Sequence, residues 1–250
     1  MNNVEIANFP PLDYATNEAF NTLATSLSYC GSEIKSILLT SRYAGEGKSF
    51  ASMNLMRTLA GLNKRVVLLD TDLRRSSLIG RFRIRFETTV PMGLAQYLAG
   101  MCAMENILYK TDIKDAYIIP IGREVSNSLQ LLSSKRLEEL MNQLRAAFDV
   151  VLVDSPPAGV IVDPVEVAKY CDGALIVVSY NRGKRQEIDE LRVSIKRTGC
   201  KVMGAVLNNV DFDAYSNRKY YYKSERYASY YNQKYYYSRS EKDKHKGKRR

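Results

Sequence analysis

An α/β domain with a mostly parallel central sheet flanked by helices is what this sequence predicts, and three observations predict it. Short runs rich in β-branched residues and leucine alternate with longer helical patterns, as βα units winding a parallel sheet do. Several of those runs are apolar almost throughout, as strands covered on both faces are. With 250 residues, 45% of them hydrophobic, the chain can bury one sizeable core.

Six strands are expected, at Ser36 to Thr40, Arg65 to Asp70, Ala116 to Ile121, Val150 to Asp154, Ala174 to Ser179 and Val202 to Leu207. Helical spacing covers Glu18 to Tyr29, Lys48 to Leu62, Lys135 to Phe148, Pro164 to Cys171 and Arg185 to Thr198. These patterns stop near Val210, so a domain over residues 1–214 is expected to be followed by a tail over 215–250. The tail carries Tyr220, Tyr221, Tyr222, Tyr227, Tyr230, Tyr231, Tyr235, Tyr236 and Tyr237 among Lys, Arg, Ser and Asn. With almost no aliphatic residue to bury, it is expected to be disordered when alone.

The formal charge of +10 belongs mainly to that tail. From Ser216 to Arg250 there are twelve Lys or Arg against three acids, a net of nine, and the rest of the chain is close to neutral. No run approaches the roughly 18 apolar residues that cross a bilayer. The opening Met-Asn-Asn-Val-Glu lacks the basic and apolar regions of a signal peptide, so a cytoplasmic location is expected. Cys30, Cys102, Cys171 and Cys200 show no CxxC spacing and read as reduced packing residues. His245 stands apart from any set of ligands or nucleophile and is given no catalytic role.

The first predicted strand runs into Thr40-Ser41-Arg42-Tyr43-Ala44-Gly45-Glu46-Gly47-Lys48-Ser49, and a helical pattern begins where that loop ends. This is the context of a P-loop, and it makes the expected fold P-loop NTPase-like. Gly45 and Gly47 let backbone N–H groups turn towards phosphate oxygens, Lys48 can reach the β- and γ-phosphates, and the Ser49 hydroxyl can bind Mg²⁺. Arg42 stands where the general GxxxxGK[ST] pattern has its first glycine. Two more strands end in acids: Val66 to Leu69 leads into Asp70-Thr71-Asp72-Leu73-Arg74-Arg75, and Val150 to Val153 into Asp154-Ser155-Pro156-Pro157. Acids at the carboxyl ends of parallel strands face the ligand crevice. Asp154 can hold Mg²⁺ through water, while Asp70 and Asp72 can add metal binding or base catalysis. The plain alternative for each is capping of the next helix.

On these segments the chain resembles the bacterial tyrosine kinases encoded with capsule and exopolysaccharide genes, of the type without transmembrane segments of its own. Ser41 to Ser49 resembles that family's Walker A, Leu69 to Arg75 its Walker A′, and Val151 to Pro157 its Walker B. Gly93 to Gly100, Leu131 to Ser134, Asp172-Gly173, Gly204 to Asn208 and the tyrosine cluster follow in family order. The resemblance implies transfer of the γ-phosphate of MgATP to the tail tyrosines named above, chiefly those of neighbouring copies. It implies a nucleotide site of Gly45, Glu46, Gly47, Lys48, Ser49, Phe50 and Asn208, a metal held by Ser49, Asp70 and Asp154, Asp72 to accept or orient the tyrosine proton, and Arg74 to stabilise charge.

Its implied partners are a membrane adaptor of the polysaccharide chain-length-determinant class, recruiting the protein to the inner face of the plasma membrane, and a phosphotyrosine phosphatase. The family's ExxRxxR assembly helix is degraded here to Glu18, Asn21 and Ala24, which puts its ring in question. An alternative is the ATPase switch of the partitioning and cell-division-site type. That class carries a signature lysine where this chain has Tyr43, five positions before Lys48. A binding-only pseudokinase is a further alternative, and nucleic acid is not an expected partner, since a solvated basic tail explains the charge as well.

Overall fold

Six strands run parallel through the centre of this computed structural model, which describes residues 2–31, 33–87 and 91–210. In chain order the elements are β1 (Asn2–Ile6), α1 (Tyr14–Ser28), β2 (Ser36–Ser41), α2 (Lys48–Gly61), β3 (Val66–Asp70), α3 (Leu78–Phe82), β4 (Ile84–Phe86), α4 (Leu94–Leu98) and α5 (Met104–Ile107). There follow β5 (Tyr109–Lys110), β6 (Ala116–Ile119), α6 (Ser128–Leu132), α7 (Lys135–Ala147), β7 (Val150–Asp154), α8 (Asp163–Ala168), β8 (Gly173–Ser179), α9 (Arg185–Lys196) and β9 (Lys201–Asn208). The strand order is β4-β1-β5-β6-β3-β7-β2-β8-β9. From β6 to β9 every pairing is parallel, whereas β5 pairs antiparallel with β6, and β4 antiparallel with β1.

Alternation along the central strands divides their side chains between two apolar layers. Leu38, Val67, Leu69, Val151 and Val153 meet α4, α7, α8 and α9 on one face. Ile37, Leu39, Val66, Leu68 and Leu152 meet α1, α2 and α3 on the other. These ten positions are no more than 2% exposed, which is why β2, β3 and β7 read as unbroken apolar runs.

The six predicted strands and five predicted helices are all present, with shifted ends. α1 begins four residues early, at Tyr14, because Asp13 caps it, its carboxylate accepting from Thr16 N at 2.7 Å. α8 stops at Ala168, three residues short of the predicted end. The strands β1, β4 and β5 and the helices α3 to α6 were not expected. Each is five residues or fewer, too short to show a period, and is held by contacts distant in sequence. α4 is an example: Leu94 N and Ala95 N donate to Pro120 O and Ile121 O at 2.8 and 2.9 Å. Its first residue is preceded by Gly93, where a Cβ would lie 2.1 Å from Gly122 N, so only glycine permits that approach.

All four cysteines are free thiols, and Cys171 and Cys200 pack in the core. Among the described residues no helix is long and apolar enough to cross a membrane. The expected domain boundary at 214/215, the tail and His245 lie outside the described residues. What the sheet does for function is to bring the carboxyl ends of β2, β3 and β7 side by side.

Candidate nucleotide and phosphoryl-transfer site

The loop between β2 and α2 is built on two left-handed glycines, Gly45 (φ 77°) and Gly47 (φ 89°), a conformation that costs other residues energy. Gly47 is also sterically required, since a Cβ there would lie 1.9 Å from the Asn208 amide nitrogen. Arg42 and Ala44 are not left-handed, so the missing first glycine imposes no backbone strain. Behind the loop, Asn208 Nδ2 donates to Glu46 O at 3.0 Å. Glu46 itself is 1% exposed, and its carboxylate accepts from Tyr43 N at 2.8 Å and Ser179 N at 3.3 Å. Glu46 and Asn208, both expected to contact nucleotide, are engaged in bracing the loop against β8 and β9.

Lys48 opens α2 and donates from Nζ to Ser41 Oγ at 3.0 Å, while Ser41 Oγ donates to Tyr43 O at 2.7 Å. Burial lowers the Lys48 pKa, and the charges of Asp154, Asp72 and Glu46 oppose that shift. Phe50, expected at the nucleotide site, turns its ring away from the loop: it packs edge-on against Phe20 of α1, with centroids 6.0 Å apart. Only its backbone amide, in the first turn of α2, belongs to the unsatisfied donors of the helix start.

At the neighbouring strand ends, Asp70 and Asp154 are directly opposite in the β3–β7 register, 1% and 4% exposed. Ser49 Oγ donates to Asp154 Oδ2 at 2.7 Å, whereas Asp154 Oδ1 is buried with no hydrogen-bond partner. Asp70 accepts from Ser76 Oγ and, at 3.1 Å, from Asp72 N. Burial, and then the charge of Asp154, push the Asp70 carboxyl above the ordinary carboxylate range; burial also raises Asp154, against the pull of Ser49 and Lys48. Asp72 is half-buried, raised by burial, and accepts from Arg75 N at 3.2 Å.

An orphaned, buried carboxylate oxygen beside a second acid and a serine hydroxyl is a hard-oxygen donor set that fits Mg²⁺.

The structure adds partners that the sequence did not single out, Glu187, Asp163 and Ser128. Tyr43 donates its hydroxyl to Glu187 of α9 at 2.6 Å, tying the loop to that helix. Arg74, expected to stabilise charge, donates from Nε to Asp163 at 3.2 Å, and Ser128 donates to the same carboxylate oxygen at 2.5 Å. Asp163 resembles an ordinary helix-start acid in sequence, and nothing local marks its partners. On α1, Asn21 donates to Glu18 at 3.1 Å and Ala24 is 1% exposed against the core, so neither position offers a charged group to a neighbour. The expected phosphoacceptor tyrosines lie outside the described residues.

A parallel sheet with a glycine loop, a lysine, a serine and strand-end acids in one crevice defines a P-loop nucleotide-binding protein. The AAA-domain family profile matches residues 34–217. The chain is 31% identical over 194 residues to the tyrosine-protein kinase CpsD of Streptococcus pneumoniae serotype 4, covering 78% of this chain and 84% of that one. It superposes on the kinase domain of the Escherichia coli tyrosine kinase ETK with a TM-score of 0.76 at 26% identity, over 83% of each chain. The septum site-determining protein MinD of Pyrococcus horikoshii OT3, complexed with Mg-ADP, matches with a TM-score of 0.61 at 22% identity over 72% of each chain, a likeness of fold alone. The chain belongs to the bacterial tyrosine-kinase family and is a protein-tyrosine kinase.

Proposed function

We propose that this kinase transfers the γ-phosphate of MgATP to tyrosines of the 215–250 tail, chiefly on neighbouring copies, and that this modification regulates capsular or exopolysaccharide synthesis or export. The observation that carries the proposal is the convergence of Lys48, Ser49, Asp70, Asp72 and Asp154 at the carboxyl ends of adjacent strands. Lys48 leaves Ser41 for the β- and γ-phosphates, and the loop amides at Gly45 to Ser49 receive the remaining phosphate oxygens. Ser49, Asp154 and Asp70 would hold Mg²⁺, which supplies charge neutralisation on the phosphates when bound.

Asp72 takes or orients the proton of the acceptor tyrosine as its oxygen bonds to phosphorus and the bond from phosphorus to the β–γ bridging oxygen breaks. Burial raises the Asp72 carboxyl, making it a better proton acceptor than an exposed aspartate. Arg74 offsets the negative charge of the transferring group. Tyr43, in place of the signature lysine of the ATPase switches, points its hydroxyl to Glu187 and favours the kinase reading.

The tail's net positive charge suits an anionic inner leaflet or an acidic surface, and a membrane adaptor of the chain-length-determinant class would bring the enzyme there. A phosphotyrosine phosphatase would return the tail to its basic state. The test is incubation of the purified chain with labelled ATP and Mg²⁺, followed by mapping of the modified residues. Label confined to tyrosines of the tail is expected; hydrolysis of ATP without phosphotyrosine would replace the proposal with the switch reading.

A further inference from the structure

Asp163 is 1% exposed, at the first turn of α8. Its Oδ2 accepts from Ser128 Oγ at 2.5 Å and from Arg74 Nε at 3.2 Å, while its Oδ1 is buried with no hydrogen-bond partner. The carboxylate thereby joins three segments far apart in sequence: the turn after β3, the start of α6 and the start of α8. Val125 N, donating to Leu73 O at 3.0 Å, closes the same seam. Stability does not account for an acid here. A buried ion pair is often no better than apolar residues of similar volume, and this one carries an unsatisfied oxygen as well.

Its effect on Arg74 does account for it. The Arg74 side chain is 41% exposed and is held at Nε, with no other hydrogen bond from its guanidinium among the described residues. Gripped through that one nitrogen, the planar fork keeps both terminal nitrogens available two residues from Asp72. Ser128 in turn fixes the carboxylate that does the gripping. An open surface depression of about 350 Å³ is lined by Arg74, Glu124, Val125 and Ser126.

We propose that Asp163 is a positioning residue for phosphoryl transfer, holding Arg74 by Nε so that its terminal nitrogens meet the transferring phosphoryl group beside Asp72. This rests on the charge-stabilising role given to Arg74 above. Because the contact matters at the transition state, loss of Asp163 lowers kcat and leaves nucleotide binding alone.

The experiment compares the full chain with Asp163→Asn, Arg74→Ala, Arg74→Lys and the double variant Arg74→Ala/Asp163→Asn. It reads single-turnover tyrosine phosphorylation, the KM for ATP, Mg-ADP affinity and melting temperature. Asp163→Asn and Arg74→Ala are each expected to lower kcat about ten- to a hundredfold with unchanged ADP affinity. The double variant should be no slower than Arg74→Ala, since the two act as one unit. Arg74→Lys, which keeps the charge but lacks the Nε grip, should be as slow as Arg74→Ala. The proposal is overturned if Asp163→Asn keeps its rate, if it slows the Arg74→Ala background as much as the wild type, or if Arg74→Lys retains full rate. Should Asp163→Asn fail to fold, the exposed Arg74→Lys variant still decides between the outcomes. An undiminished rate in Arg74→Ala, with Asp163→Asn impaired, overturns both the positioning and the Arg74 role while leaving the kinase assignment standing.

Discussion

Asp70 and Asp154 stand opposite each other at the ends of β3 and β7, both buried, with a single lysine, Lys48, as the nearby cation that acts on Asp154. Two carboxylates so placed titrate above the ordinary Asp value of 3.8, driven first by burial and, for Asp70, by the charge of its neighbour. The folded chain therefore holds more protons than the unfolded chain between that value and the raised ones. Stability from this pair is greatest in acid and declines as the pH rises from the ordinary Asp value through the raised ones, about 6 for Asp154 and about 8 for Asp70. In chelator at neutral pH, Asp70→Asn should melt above the wild type, by an amount worth about 1–2 kcal/mol. The advantage should vanish at acid pH and reverse when Mg²⁺ and ADP are present. Thermal melts across pH check this, and an Asp70→Asn chain less stable than wild type in chelator at neutral pH would refute it.

Lys48→Met should abolish measurable tyrosine phosphorylation, a loss of at least about a hundredfold, because the charge on the transferring phosphates goes with the side chain. The fold should be unharmed, since the substitution removes an ammonium whose burial already lowers its pKa. Circular dichroism melts and phosphotyrosine blotting measure the two effects separately.

Tyr43→Phe removes the hydroxyl that binds Glu187 while leaving the ring in place. Tyr43 O is the acceptor for Ser41, which in turn carries Lys48, so a freed loop should bind nucleotide a few-fold more weakly. Glu187→Gln keeps an acceptor and should lie between the two. Calorimetric titration with Mg-ADP checks the order; equal affinity in all three proteins would show that the loop does not depend on α9.

The tail should behave as a charge switch. Each phosphotyrosine adds about −1.5 to −2 charges, so five or six would cancel the net of nine positive charges in residues 216–250. Unmodified chain should co-sediment with anionic vesicles at low salt, and phosphorylated chain should not. A chain ending at Asn217 supplies the baseline. Equal binding by phosphorylated and unmodified protein would eliminate the switch, and equal binding by all three would place the membrane contact elsewhere.

Sheet, P-loop and strand-end acids were legible because each is a local demand. A strand covered on both faces must be apolar throughout, as Val66 to Leu69 and Val151 to Val153 are, and a left-handed loop position must be glycine, as Gly45 and Gly47 are. The direction of the Phe50 ring was not legible, because a place next to Ser49 says nothing of which way a helical side chain turns. The ring went to Phe20, on the apolar side of α2.

By itself the sequence determined the α/β class, the order of the Walker segments and the uneven charge of the chain. Tertiary structure alone decided that Glu46 and Asn208 brace the loop, that Asp70 faces Asp154, and that Asp163 grips Arg74. The reason is physical: those bonds join residues up to 162 positions apart, and the burial that gives them strength exists only once the sheet has assembled.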